Sequence, residues 1–322
     1  MEIRKLESKM QPTEIIKFQV DERELSSSEL AMLLSFYIYL VDKKSIVLRG
    51  ENYDSLMVKF RLQPTSEHTL SEFVFMLGEK GKVYRKTYRN SLNRNQVFSI
   101  NSTADKVFEY IFDKINKVIS STKNIKIKQH LDLHKDLNNF FNNKANKEIF
   151  IAKIRTLEAS SKLKVRDYYL RFLHQYGKVG LSNKSFFISS TQSMSTAKYF
   201  ASNENGEDII FLSWQIMRYD SNIAICKRLE LPVFHSAPFR WQREVTLKGG
   251  MLPHFILGYY KVKSQIFQVN PHFLSSDKSF LEIYKSGLEI DQRNFFEYLK
   301  RSDYDGFFAV TENGEYFDVQ YY

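Results

Sequence analysis

Apolar positions crowd residues 27–41 (SSELAMLLSFYIYLV) behind a Ser and Glu start, and this pattern predicts a buried helix. A short apolar run at 45–50, SIVLRG, follows and predicts a strand that ends in Arg and Gly. Amphipathic spacing over 104–121 and 129–159 predicts two helices. From Lys184 onward the texture changes to short apolar runs: KSFFISST, EDIIFLSWQI, SNIAICKRL, REVTL and FILGYYKVKSQIFQV. These predict a sheet-dominated half, interrupted by a helix at 193–202 (SMSTAKYFAS). Residues 292–301 predict a last helix, and FFAVTENGEYFDVQYY a hairpin turning at Asn313-Gly314. Read as a strand, WQREVTL sends Gln242, Glu244 and Thr246 to one face and Trp241, Arg243, Val245 and Leu247 to the other.

Composition narrows the setting. With 322 residues, 43% of them hydrophobic, the chain can bury one large core or two smaller ones. The single cysteine, Cys226, excludes an internal disulfide and a thiolate zinc cluster, and fits a reducing cytoplasm. The first residues carry no apolar leader, and the longest apolar segment, 30–41, is too short to span a bilayer. The expectation is a cytoplasmic protein without a membrane partner.

The net charge of +10 is uneven: residues 114–166 hold thirteen Lys/Arg against four Asp/Glu. Lys123, Lys126 and Lys128 lie there, and KGKVYRKTYRN at 80–90 interleaves Tyr84 and Tyr88 with basic residues that include Arg85 and Lys86. Such stretches suit phosphates and stacked bases, so RNA or DNA is a candidate partner; the alternative is a solvated basic face. His130 and His134, four apart, could share a metal from one helix face, but no third ligand lies near them in sequence, and a plain amphipathic helix is the better reading. No metal is expected.

Three places carry candidate chemistry: Arg49-Gly50 at a strand end, the hydroxyls of Ser189, Ser190 and Thr191 where a strand gives way to a helix, and Glu244. An arginine for a pyrophosphate, a hydroxyl for orientation and one carboxylate against a ribose suit cleavage of a nicotinamide glycosidic bond, whose leaving group is already cationic. Singly, each element has a plainer explanation. Arg49 could form a surface ion pair, Ser193 or Ser195 could cap the following helix, and Glu244 could be an ordinary strand residue.

Taken in order, these elements resemble the ADP-ribosyltransferases of the Arg-Ser-Glu class. Arg49-Gly50 resembles their first motif. Ser189-Ser190-Thr191 followed by Ala197 and Phe200 resembles the second, with Thr and Ser exchanged, and Gln242-Arg243-Glu244 the third in its Gln form. A narrower similarity is to FRG domains, through RGENYDSLMVKFR and LHQYG at 173–177. The resemblance implies an α+β fold with a split β-sheet core, an N-terminal helical segment at 1–44, and a transferase-like domain at 45–322 with a basic, mainly helical insertion at about 60–165.

It also implies roles. Arg49 would bind the NAD diphosphate, with Arg171 as the substitute candidate, and Gly50 would hold the nicotinamide amide. Ser189 would orient Glu244, with Ser190 and Thr191 also at the cofactor; Glu244 would bond the ribose and stabilise the cationic transition state. Gln242 would position the acceptor, which Phe239 or His235 could touch. Tyr199, Phe200 and Trp214 are candidates to clamp nicotinamide, with core packing as the alternative, and the loop at 202–208 could cover the dinucleotide. The implied function is NAD-dependent mono-ADP-ribosyl transfer by a bacterial toxin or phage-defence effector, acting on nucleic acid or an associated protein and restrained by an antitoxin partner. The alternatives are a NAD glycohydrolase and a catalytically inactive nucleic-acid-binding module.

Overall fold

The computed structural model describes residues 16–20, 22–42, 46–60, 70–71, 74–75, 103–177, 179–181, 185, 187–202, 206–214, 222–234, 237–248, 251, 256–271 and 274. The predicted helix at 292–301, the hairpin at Asn313-Gly314, and Arg85, Lys86 and His235 lie outside them. The chain divides into two compact units. One comprises residues 1–82, 188–218 and 242–322; the other comprises 83–187 and 219–241.

The first unit holds a mixed eight-stranded sheet. Its strands are β1 (Lys17–Val20), β2 (Arg23–Glu24), β3 (Ile46–Asn52), β4 (Phe187–Thr191), β5 (Asp208–Trp214), β6 (Glu244–Lys248), β7 (Ile256–Lys261) and β8 (Ile266–Val269). They run in the order β2-β1-β8-β7-β5-β3-β4-β6, as one hydrogen-bonded sheet in a mixed α+β fold. The join between β3 and β4 is narrow, registered at Leu48 opposite Thr191, whereas β3 pairs with β5 from Ile46–Trp214 to Asn52–Asp208.

In the described part of the N-terminal segment, β1 pairs in parallel with β8 and joins the sheet. Its helix, α1 (Ser27–Asp42), starts as predicted. The backbone N–H of Ser26 donates to Glu29 Oε2 at 2.8 Å, and the Glu29 N–H donates back to Ser26 Oγ at 3.4 Å, a reciprocal capping box. Leu33, Phe36 and Tyr37 then face inward at helical spacing, each burial worth about 1.5–3 kcal/mol. They meet Val47 and Leu48 of β3, residues Ile209–Leu212 of β5, and Leu257 and Tyr260 of β7 in a single core.

Arg23 grips Glu29 with two bonds of 2.9 Å, and together with the Ser26 bonds this holds the carboxyl down at about 2 from its ordinary 4.5. A depressed carboxyl pKa contributes stability that is complete above about 4.5 and lost as pH falls through about 2. The variant Glu29→Gln is therefore expected to lose about 1 kcal/mol at neutral pH. In urea unfolding that deficit should shrink below pH 4.5; a deficit independent of pH would contradict the assignment.

Helices α2 (Tyr53–Phe60) and α8 (Met194–Ala201) also belong to this unit, and residues 70–71 and 74–75 are helical. The second unit is helical: α3 (Asp105–Ser121), α4 (Ile125–Leu133), α5 (Lys135–Asn142), α6 (Asn146–Arg155), α7 (Ala159–Gln175) and α9 (Asn222–Arg228). The single helix predicted over 129–159 is thus three, broken at His134 (φ −116°, ψ 59°) and at the extended Asn143. Its core is aromatic, with Phe112, Phe141, Phe150 and Tyr169 meeting edge-on or tilted at ring separations of 5.2–5.9 Å.

The run SNIAICKRL, predicted as strand, forms α9. Lys227 and Arg228 lie in its last turn, where cations favour a helix, and Glu230 takes a left-handed backbone (φ 51°) to end it. The Leu231 N–H then reaches back to the Cys226 carbonyl at 2.9 Å. Within α7, Arg166 and Asp167 are both fully buried, and the Arg166 Nε donates to Asp167 Oδ1 at 2.8 Å.

Candidate active site

The three motif-bearing strands are contiguous: β3 with Arg49 lies beside β4 with Ser189, and β4 lies beside β6 with Glu244. Arg49 Nη1 donates to the Ser189 backbone carbonyl at 2.6 Å, so this link runs through the main chain of Ser189 and not through its hydroxyl. Nη2 of Arg49 is bonded to the carboxylate of Glu51, two residues along the same strand. Arg171, the substitute candidate, sits on α7 in the other unit.

Gly50 has a packing reason to be glycine. A Cβ there would fall 1.9 Å from the Ala197 carbonyl oxygen and 2.8 Å from the Ala201 nitrogen, so only hydrogen lets α8 lie on β3. Alternation along β3 then turns Arg49 and Glu51 away from α8. Ser193 caps α8 by accepting from the Thr196 N–H at 3.3 Å, which settles the cap on Ser193; Ser195 only bonds the Ser193 hydroxyl. Because Ala197 and Ala201 face β3, Tyr199 and Phe200 project outward, 66% and 52% exposed, in edge contact with each other. The side chain of Trp214 lies outside the described residues.

Ser190 and Thr191 are engaged on β6. Ser190 Oγ donates to the Val245 carbonyl at 2.6 Å and Thr191 Oγ1 to the Gln242 carbonyl at 2.6 Å, so the two hydroxyls bracket Arg243 and Glu244. These bonds fix the backbone that carries Glu244. Glu244 itself is half-buried, with its Oε1 out of solvent.

The strand predicted over WQREVTL starts late. Residues Arg240–Gln242 form a 3-10 turn, Arg243 takes a left-handed backbone (φ 44°), and β6 begins at Glu244. The alternation proposed for Gln242 therefore fails, whereas Glu244 and Thr246 do share a face. Both faces of β6 are covered, since Val245, Thr246 and Leu247 are all buried. Phe239 is half-buried and belongs to the other unit.

In the 202–208 loop, residues 203–205 lie outside the described set, and the remainder is tied down. The Lys263 N–H donates to Glu207 Oε1 at 2.6 Å and the Tyr53 N–H to the Glu207 carbonyl at 3.0 Å. His130 and His134 are buried in the helical unit, with His130 Nδ1 3.1 Å from the Tyr176 hydroxyl and His134 Nδ1 2.8 Å from the His130 carbonyl. Among the described residues no cluster of three or more His, Cys, Asp or Glu is placed to hold a metal. Among them, too, no helix is long and apolar enough to cross a membrane.

Sequence reasoning passed over Glu51, although its place two residues beyond Arg49 on a strand signals a shared face. No family model, curated protein or solved structure matches this chain.

Proposed function

We propose that the protein is a NAD-dependent mono-ADP-ribosyltransferase with an ADP-ribosyltransferase-like fold in its sheet unit. The observation that supports this reading is the adjacency of β3, β4 and β6, the strands that carry Arg49, Ser189 and Glu244, with Arg49 bonded to the Ser189 carbonyl. A guanidinium and a carboxylate on nearby strands suit the two ends of the dinucleotide that matter, the diphosphate and the nicotinamide ribose.

The bond between the nicotinamide nitrogen and ribose C1′ breaks with both electrons passing to nitrogen, so the leaving group departs as neutral nicotinamide. Glu244 bonds the ribose hydroxyl and offsets positive charge growing at C1′. An acceptor nucleophile, aligned by Gln242, bonds to C1′ and gives up its proton to solvent water. With water as acceptor the same site hydrolyses NAD.

The favoured acceptor class is nucleic acid, in a cytoplasmic bacterial toxin or phage-defence effector restrained by an antitoxin. Lys123, Lys126 and Lys128 are exposed, and their side chains make no ion pair with a described residue, unlike Lys147 with Asp113 and Arg155 with Asp105. Neutralising the three to Gln is expected to lower RNA or DNA affinity and flatten its log–log salt dependence by roughly two to three units. Nicotinamide release without acceptor should stay unchanged. An unaltered salt slope in a filter-binding titration would remove these lysines from the interface.

The deciding experiment incubates the protein with labelled NAD and separate pools of RNA, DNA and protein. Label in a nucleic-acid pool supports the reading. Nicotinamide release without label in any pool points to hydrolysis. No release and no label leaves a basic binding module.

A further inference from the structure

We propose that Glu51 is a positioning residue for NAD, holding Arg49 in the orientation that receives the diphosphate; this rests on the transferase reading above. Gly50, pressed under α8, fixes which way the strand faces, and so commits Arg49 and Glu51 to the same, opposite side. There two described contacts hold the guanidinium: Glu51 on its own strand and the Ser189 carbonyl on β4. The side chains of the pair are 21% and 13% exposed, so water screens their attraction less than it would a surface pair.

Two anchors on different nitrogens fix the plane of a guanidinium, which a single contact does not. An arginine that lacks one of them must freeze its rotamers when the ligand arrives, and that cost appears in binding and not in the bond-breaking step. Glu51 also carries a charge that repels a diphosphate. Its contribution is therefore geometric, and a neutral side chain of the same length with an acceptor oxygen should serve nearly as well.

The test measures KM and kcat for nicotinamide release from NAD, with thermal melting of each variant as a folding control. Glu51→Ala should raise KM about tenfold and change kcat less than about twofold. Glu51→Gln should stay within about threefold of the parent KM. Should the alanine variant not fold, Glu51→Asp, which keeps the charge and withdraws the oxygens by one methylene, should still raise KM by about threefold or more. In an Arg49→Ala background, Glu51→Ala should add nothing, because Glu51 acts through Arg49.

An unchanged KM in Glu51→Ala, equal damage from Ala and Gln, or a further loss in the Arg49→Ala background would each overturn the proposal. Failure of the parent protein to bind NAD or release nicotinamide would overturn the transferase reading itself, a result distinct from all of these.

Discussion

Replacing Glu244 by Gln should lower nicotinamide release at saturating NAD by about a thousandfold, because the amide keeps the shape of the side chain and removes the charge that opposes the growing cation. Binding of NAD should change little, since the transition state, not the ground state, needs that charge. The fold should survive as well: the change is isosteric at the first residue of β6, and the Ser190 and Thr191 bonds to the flanking carbonyls remain. Release measured by chromatography, beside NAD binding measured by calorimetry, separates the outcomes. A variant that retains more than about a tenth of parent activity would remove Glu244 from the chemistry. Nucleic-acid binding through Lys123, Lys126 and Lys128 should persist while release is lost, whereas a pure binding module would be unaffected in either assay.

A second large effect is expected in the helical unit. Arg166 and Asp167 are fully buried neighbours, so Asp167→Asn takes a bonded carboxylate away from a guanidinium inside the protein. Breaking a buried pair in this way costs about 3–5 kcal/mol. Replacing both members together, as Arg166→Met with Asp167→Leu, should recover most of that loss, because the desolvation cost of the charges goes with them. Urea unfolding followed by far-ultraviolet circular dichroism reads both variants. A single variant within about 1 kcal/mol of the parent, or a double variant worse than the single, would show that the pair is not held as described.

Where local rules govern, the sequence was readable. The Ser-Glu start of α1 is a capping box, and the run read as β-rich after 255 holds β7 and β8, which pair across a turn at residues 262–265 with Gln265 left-handed (φ 58°). It misled where composition and period disagree. The isoleucines of SNIAICKRL suggest a strand, and only the basic last turn and the left-handed Glu230 mark a helix. The short β1 carries too few residues to show alternation, and its partner β8 lies far along the chain.

The candidate site divides the same way. The widely spaced motifs on β3, β4 and β6 were legible as residues, and the sheet order makes those strands neighbours. The reasons behind them were not. The glycine at 50 answers to the backbone of α8, and the hydroxyls of Ser190 and Thr191 answer to β6, contacts that depend on tertiary packing. Glu51 escaped notice because its meaning comes from strand alternation and not from a motif.

The left-handed backbone at Arg243 makes Gln242 and Glu244 separately adjustable parts. A residue on a regular strand inherits its direction from its neighbours; Gln242 sits on a turn outside that constraint, while Glu244 belongs to the sheet. On the proposed transferase reading, altering the former would retune which acceptor is chosen without disturbing how the bond is broken. An engineer seeking a new target would begin there, and would leave position 243 to residues tolerant of its unusual torsion, such as glycine or asparagine.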